Sequence, residues 1–331
     1  MPLNRIPRLL LCILCFAVTL TWLTDTRARE LNGFDLQGAL VPEREILRGG
    51  PQRDGIPTIN TPKFTSAAQA LTIYKKGTRA IVVRAGGEVK AYPITVLNWH
   101  EIVNDSIATT AVTVTYCPLC GTGIVFKAKV GSDVLKFGVS GLLYQSDVLL
   151  YDKKTGSLWS QILRKAVTGT HKGRRLEVYA STIEILDDLV RKEPKIKVLS
   201  TDTGFRRDYG RDPYSDYDRS PALHFPVNHR DDKAPLKAWS LFVQTDKEAL
   251  IVPLPLLDAG KQELAVTVGG KRVSIQYDRE KNLLNCKGKA DGVTCISGYY
   301  FAFRTFYPAA KVYSPKGLLQ NPPSRPESSA R

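Results

Sequence analysis

The sequence is poor in the residues that usually announce a function. Its one methionine is the first residue, so no thioether ligand and no methionine-rich binding face follows. Imidazole ligands are limited to His100, His171, His224 and His229. Six cysteines in 331 residues are too dilute for a small disulfide scaffold. No Gly-rich phosphate loop, HExxH helix or GxSxG elbow occurs, and no internal repeat. Acidic residues are the minority, 32 against 47 Lys and Arg. The resulting formal charge of +15 bears on partners and not on fold, and no nucleic-acid motif accompanies it. A composition of 43% hydrophobic and 24% charged residues excludes a disordered chain and a multi-span membrane protein. The length allows one large domain or two ordinary ones.

What is present begins with a targeting pattern. Arg5 and Arg8 precede an apolar run of 15 residues, positions 9–23, short for a spanning helix and right for a signal-peptide core. Thr26-Arg27-Ala28 offers a cleavage site. The alternative is an uncleaved anchor, the only route by which this sequence would engage a membrane. Cys12 and Cys15 follow bulky residues, unlike lipid-attachment cysteines. Removal of residues 1–28 takes away three arginines and one aspartate, which lowers the charge to +13. The expectation is an exported protein, periplasmic or secreted, in a compartment where thiols pair unless something prevents it.

The expected organisation is a signal peptide over 1–28, an irregular arm over 29–65, one β-rich domain over 66–313 and a disordered Pro- and Ser-rich tail over 314–331. Helical patterns are predicted over 67–75, from Pro93 to about residue 104, and over 182–192. Alternating runs predict strands at 79–84 and 88–92 around Ala85-Gly86-Gly87, then at 111–116, 122–127, 134–139, 148–151, 158–161, 198–200, 239–244, 264–268 and 273–277. Residues 202–235 read as a long Tyr- and Arg-rich loop. The predicted class is α+β, with a β-rich, mainly antiparallel core and a few short helices. Asn104-Asp105-Ser106 fits a glycosylation acceptor.

The sharpest motif is Tyr116-Cys117-Pro118-Leu119-Cys120-Gly121-Thr122. Two thiols separated by two residues can close a disulfide or share a metal ion. A thioredoxin-type pair sits at a helix start, where the dipole lowers a thiol's pKa. Here β runs flank the pair, which places it in a tight turn between strands. The Cys-Pro-X-Cys-Gly pattern is similar to a rubredoxin or zinc-ribbon knuckle, but the spacing of Cys286 and Cys295 does not supply a second knuckle. That second pair brackets a turn-rich segment and predicts a local structural disulfide. His100, in Asn98-Trp99-His100-Glu101, is the candidate third ligand for Zn or Cu, or the base that stabilises a thiolate; packing beside Trp99 is its alternative role. His171, His224 and His229 read as solvated.

These runs resemble the domain-of-unknown-function family 3179. The resemblance is carried by Ala91-Tyr92-Pro93, the Asn98–Asp105 segment and the cysteine motif. It continues through Phe137-Gly138-Val139-Ser140-Gly141-Leu142-Leu143-Tyr144, Ser146-Asp147, Leu158-Trp159-Ser160-Gln161, Asp202-Thr203-Gly204 and Arg207-Asp208-Tyr209-Gly210. It covers residues 40–313 and implies an exported setting and one continuous domain, without a reaction. Cys286 and Cys295 lie outside the pattern.

Three functional expectations follow. In the first, Cys117 and Cys120 are the catalytic pair of a thiol-redox protein, with His100 as base and an unnamed redox partner. In the second, Cys117, Cys120 and His100 bind Zn or Cu received from a metal donor. In the third, the chain is a non-catalytic binding domain with structural disulfides. Glu101, Tyr144, Asp147, Tyr151, Trp159 and Gln161 are the polar and aromatic candidates for a pocket around the sulfurs.

Overall fold

The computed structural model describes residues 29–288 and 291–315. The expected signal segment, with Cys12 and Cys15, and residues 316–331 of the expected tail lie outside the described residues.

The chain is β-rich, and its larger sheets are arranged as the five blades of a propeller. The first joins Phe64–Ser66, Arg79–Ala85, Glu88–Pro93, Ser181–Ile185 and Lys197–Leu199; the second joins Ile102–Ile107, Thr110–Cys117, Thr122–Lys127 and Val178–Tyr179. The third contains Ile46–Arg48, Phe137–Tyr144, Asp147–Asp152, Leu158–Ser160 and Lys165–Ala166. The fourth holds Trp239–Gln244, Ala249–Pro253, Thr294–Tyr299 and Lys311–Val312, and the fifth holds Glu263–Val268, Lys271–Asp278 and Leu283–Cys286. Pairing is antiparallel except where Lys197–Leu199 meets Glu88–Pro93 and where Lys311–Val312 meets Ala249–Pro253.

Burial follows sequence. Phe137–Tyr144 and Thr110–Cys117 are nearly continuous runs of apolar and small residues, and both faces are covered. Glu263–Val268 alternates, and one face meets solvent. Lys90 of the first sheet forms an ion pair with Asp105 of the second (3.0 Å), which also accepts from the Tyr92 hydroxyl (2.7 Å). The predicted disulfide is formed: Cys286 and Cys295, 6.2 Å apart at Cα, tie the fifth sheet to the fourth.

The expected β-rich, mainly antiparallel core with a few short helices is present, helices making up 14% of the structure, and the five-blade arrangement is more specific than the α+β expectation. Several expectations need correction. The helix expected from Pro93 to residue 104 is Ile94–His100 alone. Glu101 takes a left-handed backbone (φ 56°) and the chain then enters the strand Ile102–Ile107. The helix expected over 182–192 is only Leu186–Lys192. Ahead of it, the β-branched Thr182, Ile183 and Ile185 pair with Arg79–Ala85 instead. Asn104 cannot serve as a glycan acceptor in the fold, because its buried amide donates to Asn60 Oδ1 and the Phe137 carbonyl. His171 is buried against Trp159 and not solvated.

Candidate metal centre

The cysteine motif forms the tip of the hairpin between Thr110–Cys117 and Thr122–Lys127, in the tight turn its flanks predict; Cys117 pairs with Thr122. The turn closes through the Cys120 amide, which donates to the Cys117 carbonyl (3.2 Å). Gly121 has φ +63° and sits so near the indole that an added Cβ would lie 3.0 Å from Trp239 Cζ3. Two further turn carbonyls are taken: Tyr217 Oη donates to Leu119 O (2.8 Å) and the Tyr299 amide to Cys120 O (2.8 Å). Gln161 holds the hairpin from the side, accepting from Thr122 Oγ1 and donating to Thr115 Oγ1.

A second hairpin delivers the other half of the site. Phe137–Tyr144 and Asp147–Asp152 are joined by the two-residue turn Gln145-Ser146, with φ of 52° and 67°. Such a turn normally uses Asn-Gly or Gly-Gly, because other residues are strained there. Gln145 is pinned by its side chain, which donates to Glu45 Oε2 and accepts from the Asn228 amide and Thr305 Oγ1. The turn aims the Ser146 carbonyl at both sulfurs, 3.3 Å from Cys120 Sγ and 3.8 Å from Cys117 Sγ. Asp147 follows immediately.

Cys117 Sγ, Cys120 Sγ and an Asp147 carboxylate oxygen all lie within 4.8 Å of one another, and all three residues are buried. The two thiols are not bonded to each other. Asp147 Oδ2 accepts from the Ile162 amide (3.0 Å), whereas Asp147 Oδ1 and the neighbouring Ser146 Oγ are buried without a hydrogen-bond partner. Burial pushes the Asp147 carboxyl up to about 7, with the Ile162 amide opposing it. Burial, then the Asp147 charge, pushes Glu101 up to about 8. Burial raises both thiols as well, Cys120 the more strongly. No Lys or Arg forms an ion pair with Asp147 or Glu101 among the described residues. The cluster therefore gathers two thiols and a carboxyl in a desolvated space, with Glu101 within electrostatic reach and no ion-paired cation among the described residues.

The sequence candidates divide accordingly. Cys117, Cys120, Asp147 and Glu101 come together, and Gln161 supports their hairpin. His100 does not join them: its Nδ1 contacts Pro57 O (2.6 Å) and its Nε2 contacts Tyr209 Oη (2.7 Å). Both ring nitrogens are thus engaged away from the sulfurs, and Asp147 is the third group that lies beside them. Tyr144 packs on Phe306. Tyr151 donates to Asp54 and stacks with Phe34 and Arg53. Trp159 donates to Asp152 Oδ2 and packs on Phe137. Sequence reasoning missed Tyr214 and Tyr217. Burial raises both hydroxyls; nearby charges that add to this are Glu101 and Cys117 at Tyr214, and Cys120 and Cys117 at Tyr217. Their cue was the Tyr-rich composition of the long loop.

No curated protein and no solved structure matches the chain. A family model, described as a protein of unknown function (DUF3179), matches residues 53–297, a span holding both hairpins of the cysteine–aspartate cluster. The chain therefore belongs to the DUF3179 family.

Proposed function

We propose that this protein binds a divalent metal ion, zinc foremost, through Cys117, Cys120 and Asp147, with Glu101 as the fourth acidic group at the site. One observation carries the reading: two unbonded thiols and a carboxylate oxygen without a hydrogen-bond partner converge in a buried space, with no Lys or Arg ion-paired to them among the described residues. A zinc ion about 2.3 Å from each sulfur and about 2.0–2.2 Å from a carboxylate oxygen would bring the ligand atoms to roughly 3.5–4 Å from one another. The cluster is within an ångström or so of that arrangement. A carboxylate beside two thiolates favours zinc over copper(I), which prefers sulfur alone. Binding would release the thiol protons and supply the positive charge that offsets the burial raising Asp147 and Glu101.

The thiol-redox reading rests on the same two unbonded sulfurs. It draws less support, because a redox nucleophile needs access and a lowered pKa, and both thiols are buried and raised. We place the protein in an oxidising compartment on the strength of residues 1–28 and the Cys286–Cys295 disulfide.

The test is metal analysis of the full chain purified without added metal or chelator, beside Cys117→Ala/Cys120→Ala. The expected result is one zinc per chain in the wild type and none in the double variant. Substoichiometric metal in the wild type, or full retention in a folded double variant, overturns the proposal. A metal-free protein whose sulfurs cycle reversibly between dithiol and disulfide would establish the redox reading instead.

A further inference from the structure

Where the sheets converge lies a cavity of about 1250 Å³, separate from the thiol cluster. Strands of four sheets line it, and the third contributes Arg164, just ahead of Lys165–Ala166. The Cys286–Cys295 disulfide stands in its wall and fixes the fourth and fifth sheets against each other there.

Arg164 is the unusual member of this wall. It is only 6% exposed, and its backbone is left-handed (φ 56°). Its Nη2 donates to Gln244 Oε1 and Tyr307 Oη, both neutral acceptors, while Nε is buried without a partner. No carboxylate pairs with it among the described residues. Burying an uncompensated guanidinium is costly, and a strained backbone adds to the cost. Arg175 and Arg272 reach the same cavity from the surface, and neither has an ion pair among the described residues. By contrast, the other cations at the wall are neutralised within the fold: Lys127 by Glu177, Arg84 by Glu184 and Glu193, and Lys287 by Glu263. Asp246 and Asp291 are also unpaired at the wall, but both are exposed, so the desolvated charge of the cavity is positive.

We propose that this cavity binds a small organic oxyanion, a carboxylate or a phosphate, anchored by the Arg164 guanidinium and held from the rim by Arg175 and Arg272. A guanidinium presents a planar fork of donors that matches either oxyanion and binds it more strongly than a neutral acceptor. The ligand supplies the charge that Gln244 and Tyr307 do not.

Calorimetric titration of the full chain with citrate and, separately, with pyrophosphate tests this. Saturable one-to-one binding with a Kd at or below about 1 mM is expected for at least one probe, weakening by roughly tenfold or more in Arg175→Gln/Arg272→Gln. Binding of citrate alone assigns a carboxylate ligand, and binding of pyrophosphate alone a phosphate. Arg164→Gln should abolish binding. If that variant does not fold, the exposed double variant still decides. Absence of saturable binding with both probes, or unchanged affinity in the folded double variant, overturns the proposal. Zinc content is expected to be the same in all of these proteins, which separates this outcome from that of the metal proposal.

Discussion

Replacing Asp147 by asparagine should have opposite consequences with and without metal. In the metal-free protein the Asp147 carboxyl is held at about 7 against an ordinary 3.8, chiefly by burial. The folded state therefore binds a proton that the unfolded chain has released. The sign follows directly: a carboxyl raised by folding removes stability as pH climbs from its unfolded value to its folded one, after which the loss is constant. At the linkage constant of about 1.36 kcal/mol per pH unit, the full loss is on the order of 4 kcal/mol above about pH 7. An asparagine side chain has the same shape and no charge, so the variant is free of this loss. The stability advantage of metal-free Asp147→Asn over metal-free wild type should then grow by about 2–3 kcal/mol between about pH 5 and about pH 8. Comparing the two proteins cancels His100 and His229, whose lowered pKa values act with the opposite sign. Glu101 adds to the effect, since its own rise owes part of its size to the Asp147 charge.

Zinc should reverse the order. A ligand present at about ten thousand times its Kd stabilises the folded state by about 5.5 kcal/mol, more than the loss of about 4 kcal/mol at Asp147, and Asp147→Asn removes one of the three closest donors. Urea unfolding of both proteins at the two pH values, after chelator treatment and again with zinc, reads all four states. Wild type should be the less stable protein without metal at about pH 8 and the more stable one with it. A metal-free difference independent of pH would refute the burial argument. Equal stabilisation of both proteins by zinc would refute the role of Asp147.

Other perturbations separate scaffold from site. His100→Gln should leave zinc content unchanged, because both ring nitrogens are bonded to Pro57 and Tyr209; loss of zinc in the folded variant would return His100 to the site. Gly121→Ala should lower both stability and zinc content, measured by thermal unfolding and metal analysis, since the left-handed turn and Trp239 leave no room for a Cβ. Cys286→Ser/Cys295→Ser should cost about 2–3 kcal/mol in urea unfolding from loop closure alone, with zinc content unchanged. Asp105→Ala should cost about 3–5 kcal/mol in the same assay, because it leaves the Lys90 ammonium buried and unpaired.

The two sequence signals that proved most informative were both local. The hairpin over Thr110–Lys127 was legible because its β runs flank a Cys-Pro-X-Cys-Gly turn, and that turn is where the thiols lie. The Cys286–Cys295 staple was legible from spacing. The proposed third ligand was not. His100 and Asp147 are respectively 17 and 30 residues from Cys117 along the chain, and neither distance is a ligand spacing. Chain direction decides between them. Glu101 turns left-handed directly after His100, leaving the imidazole toward Pro57 and Tyr209 and bringing Glu101 within electrostatic reach of Asp147 and Cys117. The propeller arrangement was illegible for a related reason. Five sheets of unequal strand number, built from segments as distant as Phe64–Ser66 and Lys197–Leu199, leave no repeat in the sequence.

Backbone strain nevertheless marks both proposed sites. Among the described residues, eight non-glycine positions have positive φ. Asn32, Asp54, Ala108 and Asn282 are exposed or half-buried, where Asn and Asp tolerate the left-handed region and water can reach the backbone. Glu101, Gln145, Ser146 and Arg164 are buried. None of these four belongs to the residue types that adopt such a conformation readily, and each persists only because surrounding structure enforces it. Glu101 lies within electrostatic reach of Asp147 and Cys117, Gln145-Ser146 sets Asp147 and a carbonyl against the sulfurs, and Arg164 stands without an ion pair, among the described residues, at the wall of the cavity. A fold selected for stability alone would place glycine or asparagine in such turns. A glutamate, a glutamine, a serine and an arginine stand there instead, three at or beside the thiol cluster and one at the cavity wall, which fits the proposed zinc site and oxyanion site.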